Sequence, residues 1–95
     1  MSEKNAYQQK LEAQLDIWQA EIDKLRARAD KASADARLQY DKQVDELLEY
    51  QKTGKQKLRE LQDANEQAWH DMRHGMEQAW DDMMKAWKAA MSRYN

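Results

Sequence analysis

Apolar residues recur at steps of three and four along almost the whole chain, from Tyr7 to Tyr94. The mean step is about 3.6 residues, which is the period of an α-helix. No segment alternates apolar and polar residues as a half-buried strand does, and the chain contains no proline and only two glycines. This ladder of apolar positions therefore predicts an all-α protein made of amphipathic helices.

The spacing of the ladder changes along the chain. Residues 7–50 follow a heptad pattern, which is typical of a left-handed coiled coil. In the segment 57–94 the pattern lengthens to an eleven-residue repeat, and the windows 66–72 and 77–83 agree at six of seven positions. Such a repeat keeps one apolar face aligned along a nearly straight helix. We predict a single all-helical domain over residues 1–95, rich in Trp and Met near its C-terminal end.

Residues 51–56 are the predicted site of a bend or a hairpin turn. No apolar residue lies between Tyr50 and Leu58, Gly54 costs about 1 kcal/mol in a helix interior, and Thr53 followed by Gln56 fits a capping box. Against a turn, the ladder keeps its phase through Gly54. Two alternatives stay open: a helical hairpin, or one long helix of about 90 residues that spans roughly 135 Å.

An amphipathic helix of this length must cover its apolar face on itself or on another chain. Charged residues make up 36% of the chain and the net charge is -2, a composition typical of long helices and coiled coils. We therefore expect a homo-oligomeric coiled coil or helical bundle, with a helical protein partner as a further option. The expected oligomer or partner interface consists of the ladder positions Leu11, Leu15, Trp18, Ile22, Leu25, Ala29, Ala32, Ala36, Tyr40, Val44, Leu47, Leu58, Leu61, Trp69, Met72, Met76, Trp80, Met83, Trp87 and Met91.

Two polar residues, Gln51 and Asn65, also fall on the ladder. A polar residue in such a seam fixes register and oligomeric state at some cost in stability. In an antiparallel dimer or hairpin these two side chains are expected to face each other. On this interpretation, replacing Asn65 with Leu raises the melting temperature and loosens the oligomeric state.

The Trp- and Met-rich face of 66–94 covers an arc of about 160° on a helical wheel, wider than a two-position coiled-coil seam. One interpretation is the core of a bundle of three or more helices. The other is an adaptable surface for lipid or for amphipathic helices, since Met and Trp suit poorly defined apolar partners. Residues 66–95 carry four Lys or Arg and five Asp or Glu, which disfavours attraction to anionic lipid.

His70 and His74 are four residues apart and share a helix face. With nearby carboxylates they could hold zinc, nickel or copper. The residues between them are Asp-Met-Arg, so the metalloprotease motif is absent. We expect a solvated face here, and predict neither a metal site nor a cofactor.

Other classes of function find little support in the sequence. The chain has no cysteine, no nucleophile elbow and no phosphate-binding glycine loop, so we predict that it is not an enzyme. No basic arm suggests nucleic-acid binding. The N-terminus lacks the apolar region of a secretory signal, and no stretch approaches about 18 consecutive apolar residues. We expect a soluble cytoplasmic protein.

The run AQLDIWQAEIDKLRARADKASADARLQYDKQVDEL, followed by the two EQAW segments, resembles a family of small bacterial coiled-coil domain-containing proteins of the stress-response type. The resemblance covers most of the chain. It implies a non-enzymatic structural or protective role, and it carries over no catalytic or ligand-binding residues. We therefore expect a self-assembling, stress-associated scaffold. The alternative is an amphipathic helix that binds lipid surfaces or partner helices through its C-terminal face.

Overall fold

In the computed structural model, residues 2–94 are described; Met1 and Asn95, the two ends of the predicted domain, lie outside the described residues. The chain forms three α-helices, α1 (Glu3–Asp30), α2 (Ala34–Asp63) and α3 (Glu66–Arg93). The prediction of an all-α protein is confirmed. The prediction of one long helix or a two-helix hairpin is wrong, because the chain breaks at 31–33 and again at 64–65.

Both breaks begin a new helix with a capping side chain. The Ser33 hydroxyl accepts a hydrogen bond from the Ala36 backbone N–H at 3.4 Å, and Asn65 Oδ1 accepts one from the Ala68 N–H at 2.7 Å. Ser and Asn are preferred at this position because their side chains satisfy backbone donors that the first turn leaves unpaired. Asn65 is thus a helix cap, and the prediction that it lies in a seam opposite Gln51 is wrong.

The predicted bend or turn at 51–56 lies inside α2, which runs through it unbroken. Thr53 does not cap a new helix, because its hydroxyl donates to the Glu49 carbonyl oxygen at 3.2 Å, one turn earlier. Ser and Thr hydroxyls often bond in this way inside helices. The heptad segment 7–50, by contrast, is interrupted within its alanine-rich stretch.

The helices run up, down and up. Tyr7 and Trp18 of α1 lie beside Trp69 and Trp80 of α3, so these two helices are parallel. Gln19 of α1 contacts Gln51 of α2, and Leu15 of α1 lies beside Gly54. The α1 numbers fall as the α2 numbers rise, so α2 is antiparallel to both other helices. The resulting three-helix bundle measures 52 × 19 × 16 Å along its principal axes, far short of one extended helix.

One apolar core runs through the bundle, and each helix contributes residues to it at the spacing of the sequence ladder. These buried core residues are Leu11, Leu15, Trp18, Ile22, Leu25, Val44, Leu47, Leu61, Trp69, Met76, Trp80, Met83, Trp87 and Ala90. Removing their surface from water is the main favourable contribution to folding, at about 25 cal/mol per Å² of apolar surface. Covering the ladder therefore requires only a single chain.

Candidate functional site

Three indole rings stack between α1 and α3. Trp18 lies parallel to Trp87, with 4.3 Å between ring centroids and 4° between planes, and parallel to Trp80, with 5.5 Å and 7°. Parallel, offset rings attract one another beyond the burial of their area. The three side chains are at most 4% exposed. We name Trp18, Trp80 and Trp87 the tryptophan stack, and it is the candidate functional site of this protein.

The stack carries one polar contact. Trp87 Nε1 donates a hydrogen bond to Glu21 Oε2 at 2.6 Å, and Glu21 lies one turn beyond Trp18 on the same helix. An indole N–H left without a partner in a core costs about 1–3 kcal/mol. Glu21 therefore fixes the orientation of the Trp87 ring while keeping its own carboxylate at the edge of the core.

Gly54 brings the α2 backbone close to the stack. A Cβ atom at this position would lie 2.9 Å from Leu15 Cδ2 and 3.4 Å from ring atoms of both Trp18 and Trp80. The buried glycine is therefore required by the close approach of two helices, which is a common reason for glycine at a packed position. The sequence pattern predicted a bend or turn at Gly54, whereas Gly54 lies inside α2 and allows it to pack closely against α1 and α3.

Two buried glutamines link α2 to its neighbours. Gln51 Nε2 donates to Gln19 Oε1 of α1 at 2.7 Å. Gln43 Nε2 donates to the Met91 and Ala90 carbonyl oxygens of α3, at 3.4 and 3.5 Å. Sequence reasoning singled out Gln51 but missed Gln43, whose only signal is that it lies four residues before Leu47 on the core face.

A second aromatic contact closes one end of the bundle. The Tyr7 and Trp69 rings lie 5.2 Å apart with planes tilted by 36°, and Lys10 Nζ lies 5.9 Å from the Tyr7 ring centroid. Burial, together with the negative charges of Glu77 and Asp81, raises the pKa of Tyr7 to about 12. Eleven residues separate Tyr7 from Trp18, the same spacing as Trp69 to Trp80. The equal spacing places the aromatic residues of α1 beside those of α3.

Ion pairs join the helices at both ends. Arg73 of α3 pairs with Glu3 of α1 and with Glu77 on its own helix, and the hydrogen bond to Glu77, followed by the charge of Glu3, raises the pKa of Arg73. At the other end, Glu46 of α2 pairs with Arg93 of α3 at 2.9 Å. Apart from Glu46, which is mostly covered, these side chains are about half exposed, and exposed pairs contribute little to stability.

Glu46 also accepts a hydrogen bond from the Tyr94 hydroxyl at 3.1 Å. Partial desolvation, followed by this hydrogen bond, raises the pKa of Tyr94. Across residues 2–94, every buried side-chain nitrogen and oxygen has a hydrogen-bond partner. The hydrogen bonds of Gln43, Gln51 and Trp87 join different helices, where they specify which faces meet.

The twenty residues predicted as an interface lie mainly inside one chain. Fourteen of them are buried, and the six that are only partly covered are Ala32, Ala36, Tyr40, Leu58, Met72 and Met91. Within residues 2–94, the large apolar side chains that remain exposed are Ile17, at 52%, and Leu38, at 60%. In an oligomer of the closed bundle, only the six partly covered members of this set would be available for contacts between chains.

His70 and His74 are exposed on α3 and line an open groove with Arg73 and Glu77. The Arg73 guanidinium forms an ion pair with the Glu77 carboxylate. Its positive charge would repel a metal cation bound between the two histidines. In the range 2–94 no group of three or more His, Asp or Glu side chains is placed to hold a metal ion.

The surface of the bundle carries open grooves bordered by charged side chains. One of about 380 Å³ lies over Leu48 and Gln51 and is bordered by Lys52, Lys55 and Arg59. It forms on the side of α2 where Gln51 reaches Gln19. Its cationic side chains are solvated, so the groove has the character of a helix surface rather than of a ligand cavity.

Comparison with known proteins yields no relative. No protein-family model matches the chain, and neither the curated proteins nor the solved structures give a significant match. None of the helices in the described part of the chain is long and apolar enough to cross a membrane. The bundle and its interhelical contacts are therefore the features that bear on function.

Proposed function

We propose that this chain is a non-enzymatic, self-assembling structural protein that works through helix–helix association. The setting implied by its sequence resemblance is a stress-associated scaffold in a bacterial cytoplasm. One observation carries the proposal: the polar groups of the core are paired across helices, as in the 2.7 Å contact between Gln51 and Gln19. The buried polar side chains thus serve to recognise a neighbouring helix.

The buried polar contacts also favour one relative orientation of the helices. The Gln51–Gln19 hydrogen bond, together with Leu15 beside Gly54, fits an antiparallel α1 and α2, and the Trp87–Glu21 hydrogen bond fits one register of α3 along α1. Misaligned helices would leave these polar groups buried without partners, at a cost of about 1–3 kcal/mol each. The same rule would select a second copy of the chain over an unrelated amphipathic helix.

A second function, binding to lipid surfaces or to foreign helices, is favoured by the methionines beside the tryptophan stack. Met72, Met84 and Met91 are half-buried and pack against the core. If α3 moved away, these flexible side chains and the tryptophans would form one adaptable apolar face. The nearly balanced charge of 66–95 makes a neutral surface the better partner.

Light scattering with size-exclusion chromatography over a hundredfold concentration range tests the first function. A mass that rises reversibly from one chain to a defined multiple supports self-assembly. A mass of one chain at every concentration overturns it. Replacing Ile17 and Leu38 together with Lys serves as a control, because any assembly that survives does not depend on these exposed apolar residues.

Quenching of tryptophan fluorescence tests the lipid-binding function. All four tryptophans are already buried in the bundle, at 1–4% exposure, so a blue shift on adding vesicles is not the expected response. Vesicles of neutral phosphatidylcholine with brominated acyl chains would quench tryptophans that enter the bilayer. Quenching by these vesicles supports the lipid function, and unchanged emission excludes it.

A further inference from the structure

The connection between α1 and α2 has the composition of a helix. Five of the ten residues in 27–36 are alanine, the strongest helix former. The connection 31–33 contains neither glycine nor proline, and no residue in 2–94 has a positive φ. Nothing in the connection demands a turn except the cap at Ser33 and the packing of the helices on either side.

The backbone leaves the helix between Lys31 and Ser33. Lys31, with φ −99° and ψ −3°, lies next to the right-handed helical region. Ser33 has a helical φ of −63° and departs through a ψ of 164°. The apolar ladder keeps its phase across Ala29, Ala32 and Ala36. A helix joined through 31–33 would therefore carry the apolar faces of α1 and α2 on one side.

We infer that α1 and α2 join into one continuous helix over residues 3–63, and that a second copy of this chain then exchanges its first helix with this one. In the exchanged dimer, α1 of each copy packs against α2 and α3 of the other. Exchange of identical elements is an economical route to a dimer because it reuses existing contacts. The inference rests on the proposed self-assembly and names its mechanism.

The contacts of the bundle suit such an exchange. Gln19 faces Gln51, and Leu15 faces Gly54, so α1 and α2 residues whose numbers add to roughly 70 lie opposite each other. The same pairing between two copies places the two-fold axis near residue 35, inside the alanine-rich stretch. There, small side chains allow the two long helices to cross closely.

Helix exchange would bury residues that are partly exposed at the α1–α2 end of the bundle. Ala32 and Ala36, which are only partly covered in the single chain, would lie in the crossing. The Asp30–Arg37 ion pair, 3.6 Å across the turn, would be too far apart within one continuous helix, because seven residues span about 10 Å. It would be remade between copies. The Ser33 cap is lost, and continuous backbone hydrogen bonds replace it.

Engineered disulfides report the topology, since the chain has no cysteine. The double variant Gln19→Cys/Gln51→Cys links α1 to α2, and its disulfide lies within a chain in the closed bundle but between chains in the exchanged dimer. Glu46→Cys/Arg93→Cys links α2 to α3 and stays within one chain in both. After oxidation at high concentration, we expect covalent dimers from the first pair and covalent monomers from the control.

Hinge variants test the joined helix. Proline at position 34 suits the first residue of α2, where Ser33 is already extended, but in a continuous helix it would collide with the Asp30 carbonyl. Ala34→Pro should retain its helicity and lower the dimer fraction at least tenfold, whereas Glu66→Pro, at the start of α3, should leave it unchanged. Ser33→Ala should favour the dimer roughly fivefold per chain. Ser2→Ala removes the matching α1 cap without touching the hinge.

The outcomes separate the inference from the function on which it rests. Dimers seen by light scattering whose Gln19→Cys/Gln51→Cys disulfides stay within one chain would overturn helix exchange and leave self-assembly standing. Dimers that persist undiminished in Ala34→Pro would do the same. Monomers at every concentration would overturn both. Interchain disulfides, together with loss of the dimer in Ala34→Pro, establish the exchange.

Discussion

Trp18 and Trp87 lie face to face, with 4.3 Å between their ring centroids and 4° between their planes, although 69 positions separate them in the chain. This contact joins the first helix to the last and gives the bundle its parallel α1–α3 pair. The Trp87 N–H finds its acceptor, Glu21, on the same partner helix. Stack and hydrogen bond together define one way of docking α3.

Replacing Trp87 with Phe removes the N–H and part of the stacked area. We expect the free energy of unfolding, measured by urea denaturation, to fall by about 1 kcal/mol more than in Trp69→Phe. Trp69 is equally buried but contributes no side-chain hydrogen bond to the bundle. Equal losses in the two variants would show that the contact with Glu21 does not stabilise the bundle.

The two glycines should respond oppositely to alanine. Gly75 is exposed and has open space around it, so Gly75→Ala should raise the free energy of unfolding by about 1 kcal/mol through helix propensity. Gly54→Ala gains the same propensity but pushes a Cβ to 2.9 Å from Leu15 Cδ2. Overpacking costs about 1–3 kcal/mol, so we expect a net loss of about 1 kcal/mol. A gain at Gly54 equal to that at Gly75 would refute the close approach of α2.

Asn65 caps the start of α3. Its substitution by Leu should lower the melting temperature, the reverse of what its place on the ladder suggested. The expected loss is about 1 kcal/mol, because the Ala68 N–H loses its 2.7 Å acceptor. Asn65→Asp keeps an acceptor oxygen and should stay close to the parent protein. Thermal unfolding followed by circular dichroism distinguishes the two, and a rise in melting temperature for Asn65→Leu would restore the seam interpretation.

The helical class and the core were predictable from the sequence because burial follows the ladder. Leu11, Trp18, Leu47 and Leu61 lie on it, and each is at most 1% exposed. The number of helices was not predictable from periodicity. At Ala32 and at Asn65 the ladder continues in phase across a reversal, so the turn depends on the Ser33 and Asn65 caps and on tertiary packing rather than on a break in the pattern.

The candidate site was only partly visible. Trp80 and Trp87 stand out in the eleven-residue repeat, but their stacking on Trp18 depends on the parallel arrangement of α1 and α3. The prediction of a bend at Gly54 was wrong because a glycine in a helical pattern is equally compatible with a bend and with a close helix contact. Only the approach of α2 to Leu15 and Trp18 distinguishes the two.

Alkaline pH should weaken the bundle through Tyr7. Its pKa in the folded chain is about 12, against an ordinary value of 10.0. The folded state thus holds the proton more tightly, and the resulting stabilisation is present below pH 10 and is lost as the pH rises towards 12. The difference in unfolding free energy between the parent protein and Tyr7→Phe should shrink over this window, by less than about 1 kcal/mol because Tyr7 is partly exposed to solvent. Urea denaturation at pH 9 and pH 12 measures it, and a constant difference would contradict the assignment.

One chain folds back on itself twice, at 31–33 and at 64–65, and so buries its own apolar ladder. Small-angle X-ray scattering measures this compactness, at a dilution where light scattering gives the mass of one chain. The bundle predicts a radius of gyration near 15.7 Å and a longest dimension slightly above 52 Å. A single-chain particle of about 70 Å would indicate a two-helix hairpin, and one of about 135 Å an unbroken helix; either would contradict the three-helix bundle.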